Sequence, residues 1–195
     1  MKNKHFALIF VILVVVLGFL FVTQIGPKKT QDPFKGYTDK EYPLSFAFNT
    51  GLDTYAFFAD KYLELARKNE PNLLRMLILI EEGENQELVK DIKNGVAREG
   101  PRGITIFVVN NKEKLTVINW LKQSPISNFG GIIGETTEMA IGGNPALSYK
   151  SDGLYTNETV VTVLGDYIYV FNVTFNSVED NIYKDFQTLL VTVSF

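Results

Sequence analysis

The chain has no cysteine and a single histidine, His5, close to its N-terminal end. The first absence excludes disulfides, thiolate metal sites, cysteine nucleophiles and a lipid-modified N-terminal cysteine. The second removes imidazole bases and histidine metal ligands from nearly the whole chain. Basic charge is also scarce where a nucleic-acid binder needs it. The 195 residues carry a net −3, yet residues 1–36 hold five lysines against one aspartate, whereas residues 37–195 hold 14 basic against 21 acidic side chains. Phosphate neutralisation demands a basic face, so no nucleic-acid partner is expected. Phosphate-loop patterns are missing too. Gly130-Gly131 and Gly142-Gly143 fit neither G-x-G-x-x-G nor Gly-Lys-Ser/Thr. Gly142-Gly143-Asn144-Pro145 reads as a turn joining two strands. There is no internal repeat or low-complexity tract, and no residue pattern calls for a cofactor or a metal.

What the sequence does have is a long apolar run. Phe6 to Val22 contains 17 residues without a charge, and extending it to Ile25 gives 20. At ~1.5 Å per helical residue that is about 30 Å, enough to cross a bilayer core. Lys2 and Lys4 precede it, and the exit, Phe21-Val22-Thr23-Gln24-Ile25-Gly26-Pro27, has no small-x-small cleavage site. Residues 1–26 are therefore expected to form an uncleaved signal anchor, a single-pass transmembrane helix. Lys2 and Lys4 orient its N-terminus inward, although Lys28 and Lys29 dilute that signal. The acidic remainder is accordingly expected outside the cytoplasm. Pro27 to Gly36 reads as a tether, and residues 37–195 as one domain of ordinary size.

Periodicity supplies the elements of that domain. Leu44, Phe46 and Phe48 alternate with polar or small neighbours, as in a half-buried strand. Asp53 to Asn69 fits either a helix or a strand, and Leu73 to Ile80 reads as a buried strand. Glu84 to Lys93 is a short surface helix ending at Gly95, and Ile104 to Val109 is a central strand. Asn111 is expected to cap a helix reaching Gln123 that buries Leu115, Ile118 and Leu121. Thr159–Leu164 and Tyr167–Phe175 flank Gly165-Asp166, a two-residue hairpin signal. On the second strand Tyr167, Tyr169, Phe171, Val173 and Phe175 share one face, which is expected to be the buried one. Ser177 opens a capping-box-like Ser-Val-Glu-Asp ahead of a stripe formed by Ile182, Tyr183, Phe186, Leu189 and Leu190. Val191 to Phe195 reads as a last strand. The sum is an α+β fold, with helices covering a mostly antiparallel β-sheet.

Several stretches carry a resemblance: Tyr42-Pro43-Leu44-Ser45-Phe46, Arg98-Glu99-Gly100-Pro101 running into Ile104-Thr105-Ile106, Leu115 to Trp120, Gly142-Gly143-Asn144-Pro145-Ala146, and Asp185-Phe186 ahead of Thr192-Val193-Ser194-Phe195. Together they resemble the PsbP-like extracytoplasmic domains of bacteria, relatives in fold of the extrinsic photosystem II protein PsbP. The resemblance spans nearly the whole of residues 37–195. It implies an α/β/α sandwich around an antiparallel sheet, usually exported or anchored, and it makes Tyr55 to Asp60 a strand. It brings no catalytic residue with it.

Candidate sites are few. Arg98, Glu99 and Arg102 flank Gly100-Pro101 and have the chemistry to grip a carboxylate or sugar by bidentate hydrogen bonds, or else to pair with one another in a rigid loop. Glu81, Glu82, Glu84 and Glu87 lack the ligand alternation and turn glycine of a calcium loop, and read as a solvated surface. Trp120 reads as core. Glu135 with Glu138, or Asp152 with Glu158, are the pairs on which a two-carboxylate envelope hydrolase would rest. No nucleophile, base and orienting group occur together. The expectation is a non-catalytic binding or assembly module, anchored by its N-terminal helix and working on an envelope protein. The alternatives are that hydrolase, and a small-ligand carrier using the inner sheet face.

Overall fold

The computed structural model describes residues 34–49, 55–95 and 100–195. The anchor expected over residues 1–26 lies outside them, as do Arg98 and Glu99. Among the described residues no helix is long and apolar enough to cross a membrane.

Among the described residues nine strands build two sheets. β1 (Phe34–Thr38) and β2 (Ser45–Asn49) form an antiparallel pair. β1 begins inside the stretch read as a tether, with Phe34, Lys35 and Gly36 pairing Asn49, Phe48 and Ala47. The other seven are β3 (Tyr55–Ala59), β4 (Leu73–Glu81), β5 (Gly103–Asn110), β6 (Ile132–Ile141), β7 (Asn144–Ser151), β8 (Thr156–Leu164) and β9 (Tyr167–Phe175). Their order is β3-β4-β5-β9-β8-β7-β6, and each neighbouring pair is antiparallel. Two meanders thus meet at β5 and β9. Among the described residues four helices accompany them: α1 (Leu63–Ala66), α2 (Glu82–Lys93), α3 (Val117–Gln123) and α4 (Asn181–Thr192).

The centre of the sheet is covered on both faces. On one side α4 lays Ile182, Phe186, Leu189 and Leu190 against Ile106, Tyr169, Phe171 and Val173, with Phe46 and Phe48 of β2 closing the layer. On the other, Trp120 and Leu121 of α3 and Leu63 of α1 cover Val109, Val161, Ile168 and Val170. Each such side chain contributes roughly 1.5–3 kcal/mol by leaving water, and these two layers supply most of the driving force. β9 is therefore buried on both faces, not on the single aromatic face expected. Its alternate residues Ile168 and Val170 are as buried as Tyr169 and Phe171.

The strands expected at 44–49, 73–80, 104–109, 159–164 and 167–175 are present, as is the helix at 84–93, and Tyr55–Ala59 is a strand as the resemblance implied. Three local expectations fail. The helix after β5 starts at Val117 with Thr116 as its cap, its hydroxyl accepting from Asn119 N. Asn111 instead closes the loop, binding Leu115 through both N–H and C=O, and Ile118 faces out. The Ser177 capping box does not form. Asp180 occupies the N-cap, and its carboxylate turns back to Asn176 N and Ser177 N. Finally, Val191 and Thr192 extend α4 instead of starting a strand, because the buried stripe continues at helical spacing to Val193. Only Ser194 pairs as a strand would, bridging Ser45.

Two glycines are required by geometry. Gly165 holds φ +59° in the β8–β9 turn. Gly142 holds φ +54° between β6 and β7, where an added Cβ would stand 2.7 Å from the Phe195 ring.

Candidate functional site

The two ends of the large sheet are finished differently. The β3 end is short, five residues, and Tyr55 ties it to α4 by donating to Asp185 Oδ2 at 2.7 Å. The β6 end is ten residues long, pairs among the described residues only with β7, and is exposed along Ile133 to Glu138. Its outer row of backbone N–H and C=O groups is thus open for an added strand. The edge is also irregular. Ile133 pairs Lys150 and Thr137 pairs Ser148, so three residues of β6 face one of β7, with Gly134 at φ +76°. Such a bulge, together with Glu135 and Glu138, disfavours pairing with a second copy of the same edge.

Beside this edge lies a cleft of about 310 Å³, lined by Ile133, Glu135, Thr137, Met139, Ser148, Lys150 and Glu158 among others. Glu158 is 8% exposed and fully engaged. Tyr183 Oη donates to its Oε2 at 2.8 Å, while Gln187 Nε2 and Ser148 Oγ reach Oε1 at 3.2 and 3.4 Å. Burial, then the hydrogen bond to Glu158, pushes the Tyr183 phenol up to about 12, so it stays a donor at neutral pH. Lys150 stands opposite Glu158 across the β7–β8 pair, its Nζ 3.9 Å from Oε2 and 5.6 Å from the Tyr183 ring centre. Held by three donors, the Glu158 carboxylate is a fixed part of the cleft wall, and Glu135 lines the same cleft.

Of the residues singled out in the sequence, Arg102 is described, and its guanidinium is engaged. Nε donates to Glu84 Oε1 at 2.9 Å and one terminal nitrogen to Asp180 Oδ2 at 3.1 Å, with Glu81 at 3.9 Å. The hydrogen bond to Glu84 raises the Arg102 pKa above its ordinary value. Glu84, read as part of a solvated acidic run, is thereby taken into the fold. Glu135 and Glu138 both sit on β6, and Asp152 closes a turn by accepting from Gly153 N, apart from the Glu158 network. The inner sheet face, proposed for a carrier pocket, is filled by Tyr169, Phe171, Phe186 and Leu189, each buried.

A second charged knot lies at the far end of the sheet. Arg75 Nε is 2.8 Å from Asp39 Oδ2, an ion pair whose angle falls outside hydrogen-bond geometry, while a terminal nitrogen donates to Asp39 Oδ1 at 3.2 Å. Asp60 and Glu41 complete the ring of acceptors. Burial pushes the Asp39 carboxyl up, but hydrogen bonds from Tyr37, Glu41 N and Arg75 outweigh it and hold the group below its usual range. Neither this knot nor the Glu158 network was visible in sequence, because each joins residues far apart in the chain. β6 itself was missed: Gly-Glu-Thr-Thr-Glu has no apolar alternation, and only the Gly142-Gly143 turn signalled that a strand must precede it.

No protein-family model matches the chain, and no curated protein matches it in sequence. Its fold is that of the PsbP-like proteins. The solution structure of cyanobacterial PsbP (CyanoP) from Synechocystis sp. PCC 6803 superposes with a TM-score of 0.51 at 11% identity, covering 87% of this chain and 98% of that one. At that identity the similarity establishes the fold alone.

Proposed function

We propose that this chain is a non-catalytic, extracytoplasmic binding or assembly module, held at the membrane by residues 1–26, which pairs an extended basic segment of an envelope protein along β6. The observation that carries the reading is the ten-residue edge strand β6, which among the described residues pairs only with β7 and is exposed along Ile133 to Glu138. Its charge selects the partner's sign. Ile132–Ile141 holds Glu135 and Glu138 and no basic residue, within a domain that is acidic overall. Main-chain hydrogen bonds would supply affinity, and the adjoining cleft would accept one side chain of the added strand. The uncharged run from Phe6 to Val22 supports the anchor, which would raise the module's effective concentration for membrane partners.

The test places a photo-cross-linking residue at Ile133, 48% exposed on β6, and as a control at Val191, 86% exposed on α4, in the full-length protein inside cells. A discrete adduct from position 133 that is absent from 191 is expected. Adducts identical at both positions, or none at 133, would refute the β6 docking site. Membrane fractionation tests the anchor separately: the chain should resist alkaline extraction, and its release with peripheral proteins would remove residues 1–26 from the account.

A further inference from the structure

On the opposite side of the molecule from α4, three segments enclose a recess of about 370 Å³: the turn before β4, the loop after β5, and the end of α3. Its walls are rich in carboxamides, Asn69, Asn72, Asn110 and Gln123, together with Glu70, Ser124 and Trp120. Two of these residues are nearly buried and incompletely satisfied. Glu70 is 5% exposed, and Ser124 Oγ donates to its Oε2 at 2.6 Å. Oε1 has no protein partner among the described residues and is not sealed from solvent. Trp120 is 4% exposed, and its indole N–H is likewise without an acceptor and unsealed. Both atoms keep contact with solvent, so water bonds them in the free protein, and a ligand that displaces that water must replace its hydrogen bonds. Both residues line the recess.

The geometry points to a binding site for a neutral polyhydroxylated ligand, a sugar ring or the end of a glycan. Residues carrying one unpartnered acceptor and one unpartnered donor line a space walled by carboxamides, each of which offers both functions. Hydroxyl groups both donate and accept, and so match such a wall. An anion would meet the Glu70 carboxylate, while Lys112 and Glu113 in the same lining offset each other's charge. An apolar ligand would strand the amides and the Glu70 oxygen. The volume lies at the lower end for small-ligand sites, which suits one or two sugar rings. This site is separate from β6 and stands or falls without it.

Trp120 is the chain's only tryptophan, so its indole emission and its indole N–H resonance each report on the recess alone. The full-length protein, in a detergent without a sugar headgroup, is titrated with glucose, N-acetylglucosamine and maltose, and with inorganic phosphate as the anionic control. At least one sugar is expected to move the indole signal saturably, and Glu70→Gln is expected to weaken that binding at least tenfold. Far-UV circular dichroism and the melting temperature of the variant verify that it is folded, and Gln123→Ala, a change at the wall, should weaken binding as well. No saturable response to any of the three sugars, a response to phosphate instead, or equal affinity in folded Glu70→Gln would overturn the assignment.

Discussion

The β3–β4–β5–β9 half of the sheet and its β6–β7 wing share one antiparallel ladder and have opposite fates in the fold. The first is covered on both faces, by α4 and β2 on one side and α1 and α3 on the other, and its arginines are locked among carboxylates. The second extends past its helices, exposing Ile133 and an unpaired backbone edge. Burial of hydrophobic residues builds the frame, and the uncovered wing is the surface left for recognition. Beyond the β7–β8 ladder the two also meet where Gly142 in the β6–β7 turn approaches Phe195, whose ring lies 4.7 Å from that of Tyr169 in the frame.

Substitutions should therefore separate sharply by region. Phe171→Ala, at the fully buried centre of β9, is expected to cost about 3–5 kcal/mol in urea unfolding, close to the stability of many domains of this size. Asp39→Asn should cost less, about 2–4 kcal/mol, because Arg75 keeps Asp60 and Glu41 when it loses Asp39. Its pH dependence has a definite sign. The folded Asp39 carboxyl lies below its ordinary value, so its stabilisation is complete above about pH 4, where the unfolded group is also ionised, and fades as pH falls through the folded pKa. Melting temperatures recorded downward from neutral pH should fall more steeply in the wild type than in Asp39→Asn below about pH 4. A parallel decline would show that other carboxylates control acid unfolding.

Gly142→Ala tests the link between the regions. The positive φ alone costs roughly 1–2 kcal/mol, and the new methyl must also displace the Phe195 ring, so a loss of about 1–3 kcal/mol is expected by chemical denaturation. In the opposite direction, Tyr169→Phe removes a hydroxyl that is fully buried without a partner, and should leave stability unchanged or raise it by up to about 1 kcal/mol in the same assay. Smallest of all, Ile133→Ala should stay within about 0.5 kcal/mol of wild type while weakening the partner adduct. A large loss there would make the wing part of the frame.

The frame was readable from sequence because its signals are local. Ile104 to Val109 and Tyr167 to Phe175 are strands by residue type and alternation, and Gly165-Asp166 marks the turn between β8 and β9. Helix ends were less legible. Asn111 and Ser177 are both good caps, and each was used for a loop bond because the next apolar stripe begins several residues later. The β-branched Val191-Thr192-Val193 suggested a strand, but the stripe from Ile182 to Val193 that packs on the sheet overrode that propensity. The candidate sites were hidden for a different reason. Glu158 gains its meaning from Tyr183 and Gln187, and Glu70 from Ser124 and Trp120, contacts that exist only once the sheet has formed. β6 carries no alternation from Ile133 to Glu138, where neither of its faces is buried.

The docking edge is read residue by residue by hydrogen exchange on the full-length protein, alone and in the complex recovered by cross-linking from β6. Those amides of Ile132–Ile141 that are not bonded to β7 should exchange readily in the free chain and become protected in the complex, while those of β9 stay protected throughout. Protection gained over β1 and β2 or over β3, with β6 unchanged, would contradict docking along β6.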